Sequence, residues 1–202
     1  PLGQHRLLDV ALHRRWRRTE PPARSIPLPG DAAATLDAIA WQLLAENPEQ
    51  ATGLGIDTGA HAALRGQLGD RSPAGQARLV RLLRDGLRQV NAIDPAPLDA
   101  ATQTSLAVVK SAFAVALDGF ALPYGDVAIG GWRNTPYVVI QNVGAYLDTP
   151  RFLDGDHPVR DAAGAEAYLA RLGALPAQLD GELERLREDG RIAVPSASAK
   201  LA

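Results

Sequence analysis

LAVVKSAFAVALDGF, residues 106–120, is the stretch that decides the fold of this chain of 202 residues. Its apolar positions recur every three or four residues, which makes one side of an α-helix apolar over its whole length. That side consists of Leu106, Val109, Phe113, Ala116, Leu117 and Phe120. Such a helix needs apolar neighbours to cover it, so we predict a central core helix in a mainly α fold.

Three more helices are predicted upstream of it. The first is capped by Asp31 and ends at Asn47-Pro48, and the second covers residues 58–68 with Thr58 as its cap. The third starts at Ser72-Pro73, because serine caps a helix well and proline fits its first turn. The buried stripe of that third helix is Leu79, Leu83, Leu87 and Val90.

Downstream, an apolar pattern on both sides of Pro176 predicts either two helices or one kinked helix, since proline disrupts a helix interior. The apolar positions are Ala165, Leu169, Leu172, Leu175, Leu179, Leu183 and Leu186. Charged positions lie beside them and predict a solvated face rather than a catalytic pair of carboxylates. These are Glu182, Glu184, Arg185, Arg187, Glu188 and Asp189.

An irregular segment rich in glycine and proline lies between these helices, around residues 121–158. Val138-Val139-Ile140 is a β-branched run that suits a short strand. Thr135-Pro136 instead suits the start of a helix that ends before Thr149-Pro150, and we favour that helix. Asp154-Gly155-Asp156-His157 indicates a turn rather than a metal site, with His157 as a hydrogen-bonded residue that pins the loop.

Residues 1–30 differ in composition from the rest. Arginines crowd the first 24 residues, at Arg6, Arg14, Arg15, Arg17, Arg18 and Arg24, and prolines follow at positions 21, 22, 27 and 29. We therefore predict a basic arm and a Pro-rich linker before a folded part that covers residues 31–202. The rest of the chain supplies no wider basic surface, so we predict a solvated face or docking onto an acidic partner surface and no nucleic-acid binding.

Composition excludes several chemistries. The absence of cysteine excludes disulfides, thiolate zinc sites and cysteine nucleophiles. No Gly-x-Ser-x-Gly elbow and no phosphate-binding glycine loop occurs. No apolar run approaches the roughly 18 to 20 residues that span a bilayer, so we predict no membrane span. The chain also lacks methionine, which indicates a processed, tagged or cut product, and Pro1-Leu2-Gly3 fits each of these origins.

The main candidate for a binding site is a concentration of aromatic and amide side chains in a chain that is only 5% aromatic. The candidates are Tyr124, Trp132, Arg133, Tyr137, Gln141 and Asn142. Such groups line peptide grooves, where amides pair with the substrate backbone and rings pack on its side chains. They also fill cores and satisfy buried loop backbone, so both interpretations stay open. We assign no catalytic and no metal-ligating residue in this chain.

The same segment resembles the bacterial domain-of-unknown-function 885 family. The resemblance rests on Pro136-Tyr137-Val138-Val139-Ile140-Gln141, Gly144-Ala145-Tyr146, Pro150-Arg151-Phe152-Leu153, His157-Pro158 and Glu166-Ala167-Tyr168-Leu169-Ala170-Arg171-Leu172. ATGLGID, residues 51–57, is similar to a weaker landmark of the family. The resemblance covers roughly residues 36–195 and is specific over 123–195.

This resemblance implies a helical, cleft-containing fold like that of the helical zinc carboxypeptidases and oligopeptidases. Members carry a His-Glu-x-x-His helix, in which two histidines bind zinc and the glutamate activates the metal-bound water. The histidines of this chain are His5, His13, His61 and His157, and none has a histidine partner four residues away. We therefore expect one wall of the cleft here, and zinc only in a longer protein.

The function implied by the resemblance is that of the N-terminal portion of a zinc-dependent, metallopeptidase-like hydrolase of peptides, inactive as this chain alone. The expected partners are the missing C-terminal half or a companion fragment, a peptide substrate and a second copy of the chain. The family suggests a periplasmic or exported protein, and a cytoplasmic one stays open. The alternative function is a non-catalytic helical module that binds a peptide or a partner.

Overall fold

The structure, a computed structural model, describes residues 30–129 and 134–189. These residues form six α-helices and one 3₁₀-helix and contain no strand, which confirms the mainly α prediction. The elements are α1 (Gly30–Glu46), α2 (Pro48–Gly53), the 3₁₀-helix η1 (Gly59–Gly66), α3 (Pro73–Asn91), α4 (Ala100–Phe120), α5 (Ala145–Gly155) and α6 (Ala162–Asp189). The predicted basic arm and nearly all of the linker lie outside the described residues.

An apolar core lies where α1, α3 and α4 meet, and α4 is its central helix as the sequence predicts. The core consists of Ile39 from α1, Leu83 and Val90 from α3, and Leu106, Phe113 and Ala116 from α4. Gly86 allows α3 and α4 to approach closely, because a Cβ atom there would lie 2.7 Å from a ring carbon of Phe113. The alternation of apolar and polar positions therefore determines this half of the fold.

Only some of the helices begin at the capping residues that the sequence predicts. The Ser72 hydroxyl accepts a hydrogen bond from the backbone N–H of Gly75 at 3.2 Å, as expected for a capping serine. Thr58 occupies the cap position of η1, yet its side chain makes no capping bond and the helix is 3₁₀ rather than α. Asp31 lies inside α1, which begins two residues earlier than a helix capped by Asp31 would.

The helix predicted from Thr135 to residue 148 is wrong. The backbone of Thr135 pairs with that of Asp126 in both directions, at 2.9 and 3.1 Å, and this extended pairing prevents a helix from starting there. Gly144 has φ 145°, so a helix starts only after it, and α5 then continues through Pro150. The strand alternative is also not found, since residues 134–144 contain only two isolated bridges.

One helix bears on the prediction that no segment spans a membrane. By length and composition alone, α4 is long and apolar enough to cross a bilayer. The core helix of a globular protein meets the same criterion, and α4 contributes three residues to the core described above. The absence of a membrane span therefore stays a prediction.

Candidate functional site

The inner face of α6 is polar, which the sequence pattern did not indicate. Arg171, Gln178 and Glu182 are buried, with 0%, 5% and 4% of their surface exposed. Two leucines of the apolar pattern point outward instead, since Leu169 and Leu172 are 63% and 47% exposed. The prediction of a solvated face is wrong for Glu182.

Arg171 is the centre of a buried polar cluster that joins α2, η1 and α6. Its Nε donates to the carbonyl oxygen of Gln67 at 2.8 Å. One terminal nitrogen donates to Thr52 Oγ1 at 2.8 Å and to the carbonyl oxygens of Leu64 at 3.1 Å and Pro48 at 3.3 Å. The carbonyl groups at the end of η1 carry partial negative charge, so the Leu64 and Gln67 oxygens suit the positively charged guanidinium of Arg171.

The other terminal nitrogen of Arg171 lies 2.8 Å from Nδ1 of His157. An arginine only donates, so Nδ1 must accept and the neutral His157 ring carries its proton on Nε2. That Nε2 lies 3.0 Å from the carbonyl oxygen of Gly164 and donates to it. The guanidinium also lies 4.7 Å from the ring centre of Phe152 in α5. His157 therefore pins the loop between α5 and α6, as predicted.

Asp57 provides negative charge close to Arg171, since both side chains form hydrogen bonds with the hydroxyl of Thr52. It is 1% exposed and accepts from Thr52 Oγ1 at 2.8 Å, while Arg65 binds both of its oxygens at 3.1 and 3.0 Å. Burial alone would raise the pKa of Asp57, but the hydrogen bonds from Arg65 and Thr52 outweigh it and hold the pKa below its usual value. Burial lowers the pKa of Arg171, and the charges of Glu49 and Asp57 oppose that change.

A second set of contacts continues along α6 toward its C-terminal end. The Gln178 amide accepts from Thr149 Oγ1 at 2.6 Å and donates to Glu49 at 3.1 Å. Glu182 accepts from Arg71 at 3.0 Å and from the backbone N–H of Ala145 at 2.8 Å. Since Ala145 is the first residue of α5, a carboxylate here also suits the positive end of that helix. These contacts fix α5 against α6.

An open cleft of about 600 Å³ lies beside this network. Its apolar surface includes Leu43, Leu79 and Phe120 from the three core helices. Its charged lining includes Arg71, which contacts Asp148 at 3.2 Å, and Arg185, which contacts Asp126 at 2.8 Å. The remaining lining residues are Glu46, Asn47, Glu49, Gln50, Gly69, Asp70, Gly75, Gln76, Val127, Ala128, Ile129, Val143, Thr149 and Phe152. A lining that combines apolar and charged side chains suits a ligand of mixed polarity.

The predicted binding residues that the structure describes lie outside the cleft. Trp132 and Arg133 fall outside the described residues. Tyr137, Gln141 and Asn142 are exposed on the irregular segment before α5, and Tyr124 is half-buried. None of these four described candidates lines the cleft. Their role in binding stays a prediction.

The sequence did contain a signal for the residues that were missed. Thr52 and Asp57 fall within ATGLGID, and Arg171 falls within the last of the segments that carry the family resemblance. What the sequence lacked was any sign that these segments meet. Within the described residues, no group of three or more His, Cys, Asp or Glu side chains lies close enough together to hold a metal ion.

The fold and the site define a bacterial-type helical domain in which a buried arginine network supports an open cleft. The chain belongs to the family described as "Bacterial protein of unknown function (DUF885)", whose model matches residues 48–201. The match includes every residue of the Arg171 cluster and most of the cleft. No curated protein and no solved structure shows significant similarity to the chain.

Proposed function

We propose that this chain is the N-terminal, substrate-binding portion of a zinc-dependent, metallopeptidase-like hydrolase, and that the cleft forms one wall of its peptide site. The observation that carries the proposal is the cleft of about 600 Å³, whose lining combines apolar and charged side chains. A peptide needs both, because its side chains require apolar pockets while its backbone and termini require polar partners. The resemblance described in the sequence analysis implies the same function.

The network around Arg171 supports this role through rigidity. A binding wall holds a substrate best when its own side chains are already fixed before binding, since less order is then lost on association. Glu49 and Thr149 belong both to the network and to the cleft lining. The proposal places the zinc centre outside the described residues, where a bound zinc would polarise the peptide carbonyl and activate water.

Peptide binding by this chain provides the first test. Gln76 in α3 lines the cleft, so Gln76→Trp should fill it and abolish binding of a peptide library measured by fluorescence anisotropy. Gln89→Trp adds the same ring on an exposed turn of the same helix and should leave binding unchanged. If both variants bind peptides like the original chain, the cleft is not the peptide site.

Hydrolysis provides the second test. A longer protein that includes the downstream polypeptide should cleave peptides with zinc and lose that activity with a chelator. If the longer protein neither binds zinc nor cleaves peptides, the enzymatic part of the proposal fails, whatever the binding result.

The exposure of Tyr137, Gln141 and Asn142 favours a second candidate function, a non-catalytic module that binds a peptide or partner. An exposed aromatic ring and exposed amides on one segment offer contact area together with hydrogen-bonding groups. The double variant Tyr137→Ala and Gln141→Ala should then abolish binding, while Gln76→Trp should not. The opposite pattern supports the cleft.

A further inference from the structure

The outward face of α4 is apolar, although the opposite face of this helix already forms the core. Val108 and Val115 are each 60% exposed, and the other outward residues up to Val115 are uncharged. In the same protein, the exposed positions of α3 include Arg81, Arg84 and Arg88. A surface helix normally shows such charges to water, so the face of α4 has the character of an interface.

The spacing on this face fits a second helix. Its residues follow one another at intervals of four, three, four and three, in the order Thr104, Val108, Ser111, Val115 and Asp118. This is the spacing of a coiled-coil seam, in which side chains of one helix enter gaps on another. Alanine, serine and threonine around the valines allow the two backbones to approach closely. We call this surface the α4 seam.

We propose that the α4 seam binds the α4 seam of a second copy of the chain, with the two helices antiparallel about a two-fold axis near Ser111. A two-fold interface sets a surface against itself, so any net charge on it would repel its own copy. From Ala101 to Val115 the exposed residues carry no charge, and Lys110, the one charged residue in this stretch, is half-buried and is not one of the seam positions, so little of that repulsion arises. A strongly charged partner would find no complementary group there.

The single charge at the end of the seam selects the antiparallel arrangement. With Ser111 at the centre, Asp118 of each copy lies opposite Thr104 of the other, close to the positive N-terminal end of that helix. A parallel pair would place the two Asp118 carboxylates side by side. Antiparallel helices also align their dipoles favourably.

The exposed leucines of α6 are a less suitable surface for this contact. Pro176 interrupts them, and the exposed charges of Asp180 and Glu184 lie beside them. They provide a matched control, because Leu169 is 63% exposed and is as accessible as the valines of the α4 seam.

Sedimentation velocity over a wide concentration range tests the proposal. The chain should sediment as a dimer, and the double variant Val108→Lys and Val115→Lys should dissociate it at least tenfold more readily, a loss of about 1.4 kcal/mol of association free energy. Leu169→Lys should leave the dimer intact. Circular dichroism checks that each variant keeps its helices.

Disulfide crosslinking tests the antiparallel arrangement of the two α4 helices. The chain contains no cysteine, so an introduced cysteine is its only thiol. Ser111→Cys should form a disulfide-linked dimer on oxidation, since the two copies meet at this residue. Thr104→Cys alone should stay uncrosslinked, whereas a mixture of Thr104→Cys and Asp118→Cys chains should crosslink.

Three results would overturn the proposal. The first is a chain that remains monomeric at every concentration and binds phosphatidylcholine vesicles through Val108 and Val115, which would make a membrane the occupant. The second is a chain that remains monomeric and does not bind the vesicles. The third is a dimer that Leu169→Lys dissociates and the valine variant does not.

Discussion

Replacing Arg171 by methionine should destabilise the protein more than any other single change on α6. Methionine keeps much of the side-chain volume but removes the donors that reach Gln67, Thr52, Leu64 and His157. A buried acceptor left unpaired costs about 1–3 kcal/mol. The carbonyl of Leu64 keeps a bond from the N–H of Gln67, so the cost falls mainly on the other acceptors.

Thr52 keeps the hydrogen bond that it donates to Asp57, so two acceptors are left without a partner, the carbonyl oxygen of Gln67 and Nδ1 of His157. Together they cost about 2–6 kcal/mol. Relief of the burial cost of the guanidinium offsets part of it, and we expect a net loss of about 3–5 kcal/mol, in the range for breaking a buried charged contact. A domain of this size has a total stability of about 5–15 kcal/mol, so the variant should lose a large fraction of its stability.

Urea unfolding followed by far-UV circular dichroism measures this loss, and an unchanged slope shows that the same surface is exposed. Arg187→Met is the control, because Arg187 is exposed on the same helix and should change stability by no more than about 0.5 kcal/mol. Arg171→Lys should lie between the two, since an ammonium group keeps the charge but cannot reach all the acceptors. If Arg171→Met and Arg187→Met unfold at the same urea concentration, the cluster does not stabilise the fold.

Three further changes have clear expected outcomes. Gly86→Ala should lower the unfolding free energy by about 1–3 kcal/mol, because the added Cβ atom would collide with the ring of Phe113 in the core. Gly173→Ala is the control: the space around Gly173 is open, so alanine there should raise the unfolding free energy by up to about 1 kcal/mol. Asp57 has a lowered pKa, so its contribution to the unfolding free energy is present above about pH 4 and is lost as the pH falls through the pKa of the folded state. Urea titrations at several pH values should show this loss of stability in the original chain and in the control variant Asp180→Asn. In Asp57→Asn the unfolding free energy should depend less on pH. Glu182→Gln should speed hydrogen exchange of the Ala145 backbone N–H at the start of α5, because glutamine has one accepting oxygen where the carboxylate has two. Unchanged exchange at Ala145 would contradict the role given to the Glu182 carboxylate.

Local patterns predicted the helices well, because a helix needs only the residues within a few turns of it. The period of apolar residues located α4 and its buried side, and the cap at Ser72 located the start of α3. The error at Thr135 has a different origin. Its backbone bonds to Asp126, nine residues earlier, and no local pattern at Thr135-Pro136 contains that partner.

Local patterns in the chain were enough to establish that it is helical, where most helices begin, and which family it belongs to. The buried side of α6 and the position of the cleft depend instead on contacts between distant segments. The reason is that Arg171 finds Thr52, Leu64 and Gln67 more than a hundred residues away in the chain. A guanidinium is stable in a protein interior only where such acceptors converge, and folding alone brings them together.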